Sequence, residues 1–387
     1  MKINHYSSKH LFLFVAVCSC LLSLTQCKST PEEAFKSKGG LRVLVGLDEQ
    51  AQQTGGNSVE IRNRVMDVLG ERIGSYGIIP HIAWQEDKNC ILVEIPGIQE
   101  PERVLNLLQS NGNLEFWETY NLTDIYSQLM AADERLAELL PSTEKNDTGE
   151  KQALSVSDDK QVEEQPEDDL EALLGSIKDE PEWEEMSADA YAAIHPLFSK
   201  LQLNMHQAPE GYALVPGPVV GYAMSEDKAK IMEYLNMKGI KLLLPKDLIF
   251  KWAVKAMNGE NSIYELFALK KVTRDGGAVM DGSTVTEARA ESDYSGKYAI
   301  TLNMNDEGAR QWARVTRDNI GKIIAIVVDD KVYSAPRVND EITGGRSMIS
   351  GDYTKEEAKD MANMLNSGRM PFPVEIVHYE IVSPLTK

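Results

Sequence analysis

Cysteine is almost absent from the body of this 387-residue chain: Cys18, Cys20 and Cys27 fall at its start, and Cys90 stands alone. One body cysteine cannot build an intramolecular disulfide framework, so the fold must rest on its apolar core. Basic residues are also in deficit, with 40 Lys and Arg against 60 Asp and Glu and a formal net charge of −20. That balance excludes the basic face that nucleic-acid phosphates require, and no nucleic-acid partner is expected. Beyond the leader the histidines are His81, His195, His206 and His378. They lie far apart with no cysteine at ligand spacing, so neither a metal nor another cofactor is expected. Gly344-Gly-Arg-Ser-Met-Ile-Ser-Gly351 is rich in glycine but lacks the Lys and Ser/Thr that complete a phosphate loop. After Leu24 no apolar run reaches the roughly 20 residues of a membrane span. With no nucleophile, metal or phosphate constellation, the chain does not read as an enzyme.

What is present begins at the N-terminus. Lys2 and Lys9 precede an apolar run over residues 11–24, a signal-peptide length rather than a comfortable span. It ends in Leu24-Thr-Gln-Cys27, similar to a lipobox, where a diacylglycerol is added to Cys27 after cleavage. Gln26 departs from the small residue usual there; Val17-Cys-Ser-Cys20 fits better but leaves a very short apolar core, and an uncleaved anchor helix is the third reading. Residues 1–26 are read as signal peptide or anchor helix and 27–38 as a polar tether. In each case the body is placed in the cell envelope, on the periplasmic side of a membrane.

Next, residues 39–47 read as a strand opened by a Gly pair. Ile61, Val65, Val68, Leu69 and Ile73 follow at helical spacing. Strands over 79–84 and 90–95 are joined by a polar turn, Pro101 starts a helix burying Val104, Leu105 and Leu108, and residues 114–120 form a strand. This βαββαβ order predicts a ferredoxin-like base over 39–120. A short helix over 121–141, ended by Pro141, leads into 142–187, which hold 16 Asp and Glu against 4 Lys and no Arg. So few apolar side chains cannot offset the entropy of ordering, and this acidic linker is expected to be a disordered, solvated spacer. Residues 188–373 are read as an inserted α+β head, and 374–387 as a strand returning to the base followed by a tail. The fold class expected is α+β.

Within the head, residues 298–304 alternate as a half-buried strand. Asn305 caps a helix with Ala309, Trp312, Ala313 and Thr316 on one side, and 323–328 is a continuous apolar run. Asp329-Asp330 reads as a two-residue hairpin turn rather than a catalytic carboxylate pair, because Asp tolerates left-handed backbone. Thr354-Lys-Glu-Glu357 is a capping box for a helix stopped by Gly368 and Pro371. The stretch from 298 to 373 is expected to form one compact module. Cys90, Trp117, Tyr120, Trp252, Tyr264 and Tyr333 read first as core residues.

These stretches resemble a family. Gly321-Lys-Ile-Ile-Ala-Ile-Val-Val-Asp-Asp-Lys-Val-Tyr-Ser-Ala-Pro336, Ile342-Thr-Gly-Gly345, Ile349-Ser-Gly351 and Glu357-Ala-Lys-Asp-Met-Ala-Asn-Met-Leu-Asn-Ser-Gly368 resemble the head of the large periplasmic domain of SecD, an accessory subunit of the Sec preprotein translocase, most closely in its fused SecDF form. Val93-Glu-Ile-Pro-Gly-Ile-Gln-Glu-Pro-Glu-Arg103 and Leu114-Glu-Phe-Trp-Glu-Thr-Tyr120 extend the likeness upstream. The acidic residue that precedes the Gly pair in the family is not found among Lys36-Ser-Lys38. The resemblance implies a noncatalytic module that binds unfolded preprotein emerging from the channel, with Sec membrane subunits (SecYEG, SecDF-like) as partners and the membrane held through a lipid or N-terminal helix. In the family, head motion is coupled to proton flow through charged residues in membrane helices, so this sequence is expected to act only with a membrane partner. Tyr333 and Arg337, at the end of a hairpin expected to be exposed, are the expected polypeptide contacts. The alternative is an envelope lipoprotein that keeps the fold as a scaffold or binding module unrelated to translocation.

Overall fold

The computed structural model describes residues 30–47, 59–98, 100–140, 187–257, 262–273, 276–292 and 296–384. Cys27 and all but Ser187 of the acidic linker lie outside them. The chain divides into two compact units that alternate along the sequence. The first is drawn from residues up to 114, from 285–305 and from 346 onward, the second from 115–284 and 306–345. Helix and sheet are mixed in both, as the α+β expectation requires.

In the first unit, β1 (Gly40–Leu47), β2 (His81–Gln85), β3 (Cys90–Pro96) and β17 (Val374–Val382) form an antiparallel sheet in the order β17-β1-β3-β2. Leu41, Val43, Val45 and Leu47 alternate inward and meet Val65, Leu69 and Ile73 of α2 (Val59–Gly74) and Val104, Leu105 and Leu108 of α3 (Pro101–Gln109). The period-two and 3.6-residue patterns thus close on one core. On β1 and its neighbours the side chains that do not face this core make a row of opposed charges across all four strands. Arg42 Nη1 lies 2.6 Å from Glu380 and its Nη2 2.8 Å from Glu94, whose other oxygen is 2.8 Å from His81 Nδ1. Register places each pair directly opposite, where cross-strand pairs contribute about 0.2–1 kcal/mol.

Two expectations are corrected here. Residues 31–38 are not tether: Pro31–Lys38 is a helix, α1, opened by a Thr30/Glu33 capping box, and its Phe35 is buried under Arg42, 5.4 Å from the ring centroid. Nor does β4 (Leu114–Thr119) close the base sheet; the place beside β1 belongs to β17. Phe116 and Trp117 of β4 find their partners in the second unit. Phe116 stacks on Trp312 with ring centroids 4.7 Å apart, and Trp117 joins Ala325 and Val327.

The first unit also holds a three-stranded sheet, β12-β13-β16, made of Val285–Ser292, Tyr298–Met304 and Arg346–Tyr353, against α9 (Lys355–Asn366). The Thr354/Glu357 capping box starts α9. The expected 298–373 module is therefore divided: β13, β16 and α9 belong here, whereas the helix and hairpin between them belong to the second unit.

The second unit is built on the sheet β15-β14-β4-β10-β8-β5: Lys331–Ser334, Ile324–Val328, β4, Ile263–Lys270, Val219–Met224 and Gln202–Leu203. β9 (Leu248–Trp252) also pairs with β10, β11 (Met280–Asp281) pairs with β4, and β6 (Met205–Ala208) and β7 (Gly211–Leu214) form a separate hairpin. β10 is covered on both faces. Leu266 and Ala268 join Leu122, Ile125, Leu129 and Leu136 of α4 (Leu122–Leu139), with Ile231 and Leu235 of α6 (Lys228–Asn236), while Phe267 and Leu269 join the Trp117 cluster. The remaining helices are α5 (Ala188–Ile194), α7 (Lys238–Lys241) and α8 (Asp306–Asp318).

Glu265, also on β10, has its carboxyl pKa raised by burial. The folded state thus prefers the neutral acid, and stability from this group, full below the ordinary carboxylate pKa, is lost as pH rises through the raised value. Glu265→Gln should therefore melt above the parent at neutral pH, with the gap closing toward pH about 4. A gap that is the same at both pH values would contradict this assignment.

Candidate functional site

The residues singled out for chemistry occupy structural positions. Asp329 and Asp330 have φ of 47° and 64°, the left-handed pair of a two-residue hairpin turn, and Val328 pairs with Lys331 across it. Asp330 has a further task. Its Oδ1 lies 2.5 Å from Nζ of Lys251, whose side chain is 7% exposed and which also lies 5.3 Å from the Trp117 ring centroid. His195 Nδ1 lies 2.7 Å from a buried oxygen of Asp133, and His81 belongs to the charge row on the base sheet. Burial pushes the Cys90 thiol up, away from thiolate chemistry. The Tyr120 hydroxyl is pushed up to about 12 by burial and by Asp247, to which it donates at 2.8 Å. Lys228 Nζ sits 3.6 Å from the Tyr264 ring centroid and 5.5 Å from that of Trp252, and burial holds its pKa down.

The expected contact residues differ in character. Arg337 is exposed and donates to the Gly321 carbonyl, whereas Tyr333 is half-buried, its hydroxyl pushed up to about 12 by burial and by the charge of Asp329. The hairpin is thus less exposed than expected, because Val332 and its neighbours pack on the Trp117 cluster and Val254 N–H donates to the Val332 carbonyl at 2.9 Å. Residues 323–333 and 348–353 belong to different compact units.

An open strand edge lies in the three-stranded sheet. One edge, β12, is pinned by a side chain at a single residue: Asn366 of α9 accepts from Ala288 N–H at 2.7 Å and donates to its carbonyl at 2.8 Å. The other edge, β16, has β13 on one side and, among the described residues, no strand on the other. Its regular part is short. Pairing with β13 runs from Arg346 to Ile349, and then a register shift bulges residues 350–352 outward. Ile349 and Tyr353 are buried, while Met348 is 43% exposed and Arg346 is held 3.0 Å from Glu291. Gly351 permits the fold-back of Tyr353, since a Cβ there would come within 2.6 Å of that ring. A strand edge beside an exposed apolar side chain such as Met348 can take an extended segment as a further strand. The sequence resemblance included Ile349-Ser-Gly351 of this strand; the bond of Asn366 to Ala288 left no local signal.

A second concavity, about 570 Å³, runs along α8 and is lined by Arg310, Arg314 and Arg317 with Asp306 and Glu341. Three arginines and two acids line it, so the cleft carries both signs of charge. Among the described residues no group of three or more His, Cys, Asp or Glu is placed to hold a metal, and no helix is long and apolar enough to cross a membrane.

Comparison with known proteins places these features. A model of the SecDF P1 head subdomain matches residues 263–372, and a model of the N-terminal part of the SecDF P1 domain matches residues 62–121. The protein translocase subunit SecD of Rhodothermus marinus is 32% identical over 325 residues, covering 84% of this chain and 47% of that protein. SecD of Acidaminococcus fermentans is 39% identical over 110 residues, 28% of this chain and 26% of its own length. A crystal structure of SecDF in a super-membrane-facing form aligns over 96% of this chain and 34% of its own, at 21% identity and a TM-score of 0.46. The chain thus spans about half the length of the R. marinus relative. With both P1 models matched in chain order and the R. marinus alignment covering 84% of the sequence, this chain carries a SecD P1 domain.

Proposed function

We propose that this P1 domain is a noncatalytic holder of unfolded polypeptide in protein translocation, acting on the periplasmic side of a membrane. It works beside Sec membrane subunits such as SecYEG and SecDF-like proteins, and a lipid on Cys27 or an N-terminal helix tethers it there. The observation that supports the reading is the asymmetry of the β12-β13-β16 sheet: Asn366 pins the β12 edge at Ala288, whereas among the described residues no strand lies beside β16, where Met348 is exposed. Main-chain pairing supplies affinity with little sequence preference, which suits a partner that meets many preproteins. Tyr333 and Arg337 of the second unit form a second, weaker contact.

Titration with a permanently unfolded, carboxymethylated polypeptide tests this. Met348→Asp should weaken binding about tenfold, or ~1.4 kcal/mol, with the melting temperature unchanged because the side chain is exposed. Arg337→Ala should weaken it about two- to threefold, the scale of an exposed contact. Parental affinity in both variants would contradict the reading.

A further inference from the structure

Lys228 is a half-buried lysine set on aromatic rings beside a second lysine. It opens α6, and its Nζ lies 3.6 Å from the Tyr264 ring centroid and 5.5 Å from that of Trp252. Register assembles the cluster. Trp252 of β9 stands opposite Leu266 of β10, two residues along from Tyr264 and on the same face. Ala253 bridges Val332 in parallel, which brings Lys331 of β15 next to Trp252. All four residues belong to the second unit. Among the described residues Lys228 has no carboxylate in ion-pairing distance and no hydrogen-bond acceptor. Asp227 is taken by Lys200 at 2.6 Å and Glu233 by Lys230 at 3.0 Å, and the exposed Glu226 makes no ion pair. Trp252 Nε1 is likewise buried without an acceptor.

We propose that Lys228 is a nucleophilic amine, the site at which this domain takes up small aldehydes as imines. A lysine both desolvated and placed beside another cation is the arrangement that activates an amine for carbonyl chemistry. Burial strips water from the ammonium and Lys331 repels it, and both favour the neutral form. The start of α6 is the positive end of a helix dipole and disfavours a further cation there. The ring faces attract the ammonium, but they accept no hydrogen bond from it as a carboxylate would, and they hold the amine in one place. The lone pair of the neutral amine attacks the carbonyl carbon, a proton passes from nitrogen to oxygen, and loss of water leaves the C=N bond. The step needs neither oxidant nor reductant. Lys228 is only partly covered, so a small carbonyl compound reaches it, with Tyr264 and Trp252 as an apolar floor.

The test is brief treatment of the full chain with acetaldehyde near neutral pH, reduction of the imines with cyanoborohydride, and peptide mapping by mass spectrometry. Lys228 should be alkylated about threefold or more ahead of two internal controls. One is Lys230, two residues along the same helix but paired with Glu233, and the other is Lys241, which is fully in solvent contact on α7. Lys331→Gln removes the repelling charge from an exposed position and should slow labelling of Lys228 about twofold, with the other lysines unchanged. Lys331→Arg keeps that charge and should restore the parental rate. Labelling of Lys228 at or below that of Lys241 would overturn the proposal. So would a Lys228 rate that Lys331→Gln leaves alone or that Lys331→Arg fails to restore.

Discussion

Arg72→Ala should destabilise the first unit by about 3–5 kcal/mol, the cost of breaking a buried hydrogen-bonded charge site, and lower its melting temperature by roughly 10 °C on the scale of a domain this size. Arg72 is fully buried on α2. Its Nη1 donates to the carbonyl of Leu107 at 3.0 Å and to that of Ser110, its Nε donates to Ser367 Oγ at 3.1 Å, and its Nη2 reaches the Gly368 carbonyl at 3.5 Å. These acceptors lie at the C-terminal ends of α3 and α9, where helices leave carbonyls without intrahelical donors and where positive charge is favoured. One planar guanidinium thus ties three helices together and satisfies carbonyls that would otherwise be buried unpaired. Arg72→Lys should recover little, because a single ammonium cannot reach all these acceptors at once. Thermal or urea unfolding of the three proteins checks this; a loss below about 1 kcal/mol would place the site among ordinary surface substitutions.

Asp133→Ala should destabilise the second unit by about 2–4 kcal/mol, since it strands a buried donor and removes a charge-assisted bond. Asp133, fully buried in α4, accepts from Leu197 N–H at 2.8 Å and lies 2.7 Å from His195 Nδ1. It fixes the segment that re-enters the unit after the acidic linker. Asp133→Asn, which can still accept from Leu197 N–H, should lose only part of this. A double-mutant cycle with His195→Ala separates the two bonds, and simple additivity would show that the Asp133–His195 contact contributes nothing.

The two residues explain why fold was more legible than its fastenings. Alternation in β1, helical spacing in α2, the Thr354/Glu357 box and the Asp329-Asp330 turn are local rules, and the chain obeys them. Arg72 and Asp133 sit on the buried stripes of their helices, Arg72 three residues past Leu69 and Asp133 four past Leu129. A charge in the register of a core stripe was the available signal, but hydropathy alone assigns such residues to solvent. The destination of β4 was not local at all. Six alternating residues fit either sheet, and the choice fell to the fit of Phe116 and Trp117 against Trp312, Ala325 and Val327. The first turn of structure, α1, was hidden because eight residues with a single buried Phe carry little periodicity. The candidate site showed the same division: Ile349-Ser-Gly351 was legible as a motif, while the pinning of the opposite edge lies in Asn366, remote in sequence from Ala288.

The most direct test of the central claim is site-specific photocrosslinking from the full chain to a preprotein stalled halfway through export. A photoreactive residue in place of Met348 or Ser350 should crosslink to the stalled chain, one in place of Arg337 more weakly, and one at Lys359 on the exposed side of α9 not at all. Crosslinks that are absent at 348 and 350, or equal at 359, would contradict strand addition at β16 as the way this domain holds polypeptide.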